Sequence, residues 1–142
     1  MKKNILFLCT GNSCRSQMAE GLAKASLGDR FNFYSAGTRK QGMNPHGITV
    51  MKEIHIDLKG HYSKTLEELQ DVTMDLVFTV CADAFETCPV FHGAKVIHVG
   101  FDDPSRLTSE LADQAQILEV YRRVRDEIKA FVDELEQRIE LL

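Results

Sequence analysis

The sequence predicts an α/β fold, a parallel sheet covered by helices in three layers, and three features carry that prediction. Apolar segments of strand length alternate with segments of helical period along the 142 residues, an order that demands crossover connections and so a parallel sheet. Crossover helices bury both sheet faces, and strands such as Ile5-Leu6-Phe7-Leu8 and Leu76-Val77-Phe78 are accordingly apolar at every position. Two of the strands run into a cysteine, Cys9 and Cys81. In a parallel sheet the carboxyl ends of the strands share one edge, where ligands bind. The length fits one domain spanning residues 1–142.

The elements follow in order. Residues 4–8 read as the first strand, and residues 16–27 as a helix stopped at Gly28. Residues 31–35 alternate as a second strand, broken at Ala36-Gly37. Pro45 suits the first turn of a helix running to about residue 54, with Ile48, Met51 and Ile54 on its apolar face. Residues 66–69 form a short helical piece, residues 75–80 a third strand, and residues 95–99 a fourth. Leu111, Ile117, Val120, Tyr121, Val124, Ile128, Phe131, Leu135 and Ile139 keep helical spacing, which predicts one long amphipathic helix packed on the sheet. No internal repeat, linker or low-complexity segment interrupts this pattern.

Composition narrows the function. Hydrophobic residues at 44% and charged residues at 27% are ordinary for a water-soluble globule. A net charge of −4 without a Lys/Arg cluster argues against a general nucleic-acid binder. No apolar run approaches ~18 residues, so no membrane span is expected. Met-Lys-Lys leads straight into a strand, so no signal peptide is expected either. Four cysteines without a secretory signal point to reduced thiols doing chemistry in the cytoplasm. A monomer is expected.

The chemistry gathers after the first strand, in Cys9-Thr10-Gly11-Asn12-Ser13-Cys14-Arg15-Ser16. A short loop between a buried strand and a helix start collects backbone N–H groups, and such a nest binds tetrahedral anions. The helix end, Arg15 and hydroxyls such as that of Ser16 all favour the Cys9 thiolate, which is the attacking species. Gly11 and Asn12 suit the positive-φ conformations of a tight cradle. A buried strand-end cysteine beside a solvated arginine is the plainer alternative, but it leaves the spacing, the glycine and the flanking elements unexplained.

Six residues separate Cys81 from Cys88. If that segment were helical it would hold the two residues roughly 10 Å apart, and a disulfide needs Cα atoms within about 7 Å, so bonding would require rearrangement. Two unrelated buried thiols remain an alternative. A zinc site from Cys81, Cys88, His92 and His98 lacks the close paired spacing of structural zinc ligands, and no metal is expected. Asp102-Asp103-Pro104 is a common turn sequence, and equally a place for a loop carboxylate to act as a general acid. None of the five histidines is assigned a catalytic role.

The segment from Cys9 to Glu20 resembles the phosphate loop of the low-molecular-weight tyrosine phosphatase superfamily, and its wording is similar to the thioredoxin-coupled arsenate reductase branch. The resemblance implies a four-stranded sheet of order 2-1-3-4, with the strands ending in Cys9 and Cys81 as neighbours. It implies that Thr10, Gly11, Asn12, Ser13, Cys14, Arg15 and Ser16 hold arsenate, phosphate or sulfate, and that Cys9 is the nucleophile. Cys81 and Cys88 match the second and third redox cysteines, with a Cys9–Cys81 disulfide as intermediate and Cys81–Cys88 in the oxidised form. The family's general acid immediately precedes proline, which makes it Asp103 and leaves Asp102 as a solvated or capping residue. Cys14 has no counterpart in the relay and is read as structural. The electron donor is thioredoxin or a similar dithiol protein, no bound cofactor is needed, and some phosphatase activity remains.

The phosphatase branch carries aromatic residues after this proline to receive phosphotyrosine, whereas Ser105-Arg106 offers no such platform. One position departs from the family. Some members hold a monovalent cation with positions matching Asn12, Glu20 and Ser35 plus an acidic fourth residue, which here is Lys64; that lysine counts against potassium. The competing readings are a low-molecular-weight protein tyrosine phosphatase, in which water resolves the Cys9 adduct, and a thiol-based arsenite-binding or redox-sensing module.

Overall fold

The computed structural model describes residues 2–80 and 93–142. Strands β1 (Lys3–Cys9), β2 (Phe31–Gly37), β3 (Leu76–Thr79) and β4 (Lys95–His98) form one parallel sheet. Its order is β2-β1-β3-β4, as the resemblance implied. β1 is therefore central, and Ile5, Leu6, Phe7 and Leu8 are fully buried. Alternate side chains of β1 serve opposite faces. Ile5 and Phe7 pack with helices α1 (Arg15–Leu27), α2 (Pro45–Lys52), α4 (Gln114–Asp133) and α5 (Leu135–Glu140). Leu6 and Leu8 pack with Ala36, Met74 and Val77, against which Leu66 and Leu69 of a 3-10 turn at Leu66–Leu69 also pack. No helix among the described residues is long and apolar enough to cross a membrane.

Strand β2 runs on through the expected break to Gly37, held by continued pairing with β1, and two helices also differ. Helix α2 stops at Lys52, and its buried face is Gly47, Val50 and Met51, while Ile48 is 37% exposed. The cause is Gly47, where a Cβ would lie 3.1 Å from Cys14 Sγ, so the helix turns its bare side toward the Cys9–Arg15 loop. The long C-terminal helix is divided. A single turn, α3 (Pro104–Leu107), comes first, α4 starts at Gln114 with the Asp113 side chain accepting from Ala115 N at 2.9 Å, and Glu134 interrupts before α5. Leu111 lies outside any helix and is 37% exposed. Phe131, Leu135 and Ile139 nevertheless stay buried together, because a one-residue break barely changes which side faces the sheet.

Phe131 is a clear test of that face, its ring meeting Phe78 at 5.3 Å and Phe101 at 5.9 Å edge-on. Phe131→Ala should destabilise the fold by about 3–5 kcal/mol through lost transfer energy and the cavity left behind. Equilibrium denaturation measures this, and an unchanged midpoint would refute the packing.

Candidate active site

The loop leaving β1 is shaped from outside. Thr10 O accepts from Thr38 N at 2.9 Å and Arg39 N at 3.1 Å, Gly11 O from Gln41 N at 3.2 Å, and Ser13 O from Asn44 N at 3.2 Å. Cys14 O accepts from Met18 N at 2.8 Å, opening α1. These bonds hold four loop carbonyls against residues 38–44 and the first turn of α1. Segment 38–44 can lie so close because β2 ends in glycine. A Cβ on Gly37 would stand 2.5 Å from Thr10 O and 2.9 Å from Asn12 N, both backbone atoms that cannot yield.

Asn12 adopts φ 48°, the left-handed region that asparagine tolerates better than most residues. Its side chain is held beneath the loop: Oδ1 accepts from Gln17 Nε2 at 2.9 Å and Lys64 N at 2.8 Å, and Nδ2 donates to Ser16 Oγ at 2.9 Å. Ser63 Oγ donates to the Asn12 carbonyl at 2.8 Å. Of the seven expected oxyanion-binding residues, Thr10, Gly11, Ser13, Cys14 and Arg15 line the pocket beside Cys9. Asn12 and Ser16 lie fully buried behind it as support. Their side chains hydrogen-bond to each other through Asn12 Nδ2 and Ser16 Oγ, so what they can offer the pocket is backbone.

The pocket measures about 340 Å³ and is completed by Arg39, Gln41, Asn44, Asp103 and Ser105. No aromatic side chain lines it among the described residues. Arg15 is 6% exposed; Nη1 donates to Phe101 O at 3.0 Å, and Nη2 lies 3.8 Å from Asp103 Oδ2. This holds a permanent positive charge against the pocket with one face of its planar fork committed. Burial pushes the Cys14 thiol up to about 12, against the opposing pull of Arg15, so at neutral pH it stays protonated and a poor nucleophile.

The two aspartates divide sharply. Asp102 faces outward, 3.3 Å from Arg123 on α4, while Asp103 faces the pocket. Asp102 thus takes the solvated role of the two expected of it, and the helix cap is Asp103, whose Oδ1 accepts from Ser105 N at 3.0 Å and leaves Oδ2 toward Arg15. Cys81 and Cys88 lie outside the described residues.

Glu20 sits behind the loop, where its carboxylate accepts from Ser35 Oγ and meets Lys24 Nζ at 2.6 Å. Lys64 Nζ stands 4.0 Å from the same carboxylate and donates to Tyr62 O at 3.0 Å. Two ammonium groups thus stand beside the Glu20 carboxylate. Burial lowers the Lys64 pKa, and Glu20 opposes that shift.

Sequence reasoning missed Arg39, Gln41 and Asn44 on the pocket wall and Gln17 in the support. Only Asn44 carried a local signal, since Asn before Pro is a helix cap followed by a first-turn proline, and its Oδ1 does accept from His46 N and Gly47 N.

Comparison with known proteins fits this geometry. The profile of the low molecular weight phosphotyrosine protein phosphatase family matches residues 4–142. A curated protein of Staphylococcus epidermidis named arsenate reductase 1 is 45% identical over 139 residues, covering 97% of this chain and 98% of its own. A solved structure described as an arsenate reductase in the oxidised state superposes with TM-score 0.77 at 29% identity, over 96% of this chain and 98% of that one. A thioredoxin-dependent arsenate reductase from Corynebacterium glutamicum gives TM-score 0.69 at 25% identity, over 99% of this chain and 63% of that longer one.

Proposed function

The chain belongs to the low molecular weight phosphotyrosine protein phosphatase family, and from that premise we propose that it reduces arsenate to arsenite with three cysteines, serving arsenic detoxification. The observation that carries this reading is the convergence of Cys9, Arg15 and Asp103 on one polar pocket with no aromatic side chain among the described residues lining it. Such a pocket suits a small tetrahedral oxyanion better than an aryl phosphate. The arsenate reductase name of a relative aligned over almost the whole chain supports the same substrate.

Arsenate binds in the nest with its charge facing Arg15, and the Cys9 thiolate attacks arsenic. A sulfur–arsenic bond forms, an arsenic–oxygen bond breaks, and Asp103 supplies the proton with which that oxygen leaves as water. The Cys81 thiolate then attacks Cys9 sulfur. A disulfide forms, the sulfur–arsenic electron pair stays on arsenic, and arsenite departs with arsenic reduced from the +5 to the +3 state. Cys88 attacks Cys81, frees Cys9, and leaves a Cys81–Cys88 disulfide for a dithiol protein of the thioredoxin kind, which is oxidised in turn. The thioredoxin-dependent title of the Corynebacterium neighbour supports that donor.

The test is arsenate turnover with thioredoxin, its reductase and NADPH. Sustained NADPH oxidation that requires arsenate supports the proposal. Hydrolysis of phosphate esters without arsenate turnover would make the chain a phosphatase. Arsenite binding with neither activity would make it a thiol-based binding or sensing module.

The charge arrangement at Glu20 adds a condition. Turnover should be equal in sodium and potassium buffers of the same ionic strength, because Lys24 and Lys64 already neutralise the carboxylate. A rate that rises specifically with potassium would contradict this.

A further inference from the structure

Gly11 stands within the anion loop, yet the backbone there does not require glycine. The left-handed step is taken by its neighbour Asn12 at φ 48°, and the described glycines with positive φ are Gly42, Gly60, Gly93 and Gly100. Space is what requires a glycine at position 11. A Cβ there would overlap Oε1 and Cδ of Gln41 and stand 2.7 Å from its Cγ. The carboxamide of Gln41 is therefore seated directly on the bare Cα of a loop residue. Its own backbone keeps it close, because Gln41 N donates to Gly11 O at 3.2 Å and Arg39 N donates to Thr10 O at 3.1 Å.

Gln41 also lines the pocket, together with Cys9 and Arg15. Among the described residues no group hydrogen-bonds to its side chain, so two N–H donors and one carbonyl oxygen are open to whatever the pocket holds. An anion oxygen, or water, answers such groups. The ring of an aryl ester does not, and a ring laid on an amide strips its water and returns no hydrogen bond. We propose that Gln41 is a specificity-determining residue of this pocket: its carboxamide, given room by Gly11, favours a bare tetrahedral oxyanion over an aryl phosphate ester, a role that rests on the oxyanion reading of the pocket. Gln41 takes no part in the chemical steps; it selects what reaches Cys9.

Protection of Cys9 from alkylation in the full chain reports occupancy of the pocket without turnover, with inorganic phosphate and phenyl phosphate as the two probes. Gln41→Leu removes both polar ends and keeps an apolar side chain in their place. It should weaken protection by phosphate and strengthen protection by phenyl phosphate, moving the ratio of their half-protecting concentrations roughly tenfold, the effect of about one hydrogen bond. Gly11→Ala unseats the same carboxamide and should move the ratio in the same direction. In a Gln41→Ala background Gly11→Ala should therefore add less than about twofold, because the group it displaces is already gone. A ratio unchanged in Gln41→Leu, or shifts that add fully in the double variant, would overturn the proposal. If phosphate does not protect the wild type, the oxyanion reading falls and this role with it. If phosphate protects but arsenate is not turned over with thioredoxin, the reductase reading alone fails, and the ratio still decides the role of Gln41.

Discussion

A Cys88→Ser variant supplied with excess arsenate and thioredoxin should release about one arsenite per molecule and then stop, because the Cys9–Cys81 disulfide forms but has no third thiol to move it outward. The other two cysteines should fail differently. Cys9→Ser removes the nucleophile and should abolish both arsenate reduction and phosphate-ester hydrolysis. Cys81→Ser should lose reduction yet keep slow ester hydrolysis, since water can resolve a phosphorylated Cys9 and cannot reduce arsenic. Cys9 is 4% exposed at the end of the central strand, so access to it runs through the pocket. Quenched arsenite counts and peptide mapping of the oxidised chain separate the three outcomes. Sustained turnover by Cys88→Ser, or a dominant Cys9–Cys14 bridge, would end the relay scheme. The buried, protonated Cys14 thiol weighs against that bridge.

Asp103→Asn should slow the first chemical step by roughly 10²–10⁴-fold with arsenate still bound, the usual contribution of a general acid. Asp102→Asn should change little. The structure separates two adjacent carboxylates by orientation: Asp103 Oδ2 stands 3.8 Å from Arg15, and Asp102 pairs with Arg123 on the outside. Single-turnover rates of the two variants compare them directly. Equal losses would show that the wrong carboxylate, or the wrong role, was assigned.

The loop was legible because its parts are contiguous: strand, cysteine, glycine, arginine and helix follow one another within residues 3–27. The sheet order was legible only through resemblance, since apolar runs do not say which strands pair. What escaped came from chain distant in sequence. Gln41 reaches the loop from 30 residues away, its side chain lying where a Cβ on Gly11 would be, and Tyr121 reaches Asn44 across 77 positions. Neither leaves a local pattern. The break at Glu134 escaped for another reason: no proline or glycine marks it, and the apolar spacing runs through it unchanged. Asp102 was left as either solvated or capping because residue type alone cannot tell which of two aspartates faces the following amide.

β1 precedes the other three strands in the chain yet lies inside the finished sheet, between β2 and β3. Its second partner ends at Thr79, so at ~5–20 residues per second a nascent chain spends several seconds with that edge of β1 unpaired. The anion loop is incomplete for as long, because the Asn12 carbonyl and side chain take their donors from Ser63 and Lys64. Through that interval the pocket walls contributed by Asp103 and Ser105 are missing as well. The face that Ile5 and Phe7 present stays open longer still, until α4 brings Tyr121, Val124 and Ile128 over it.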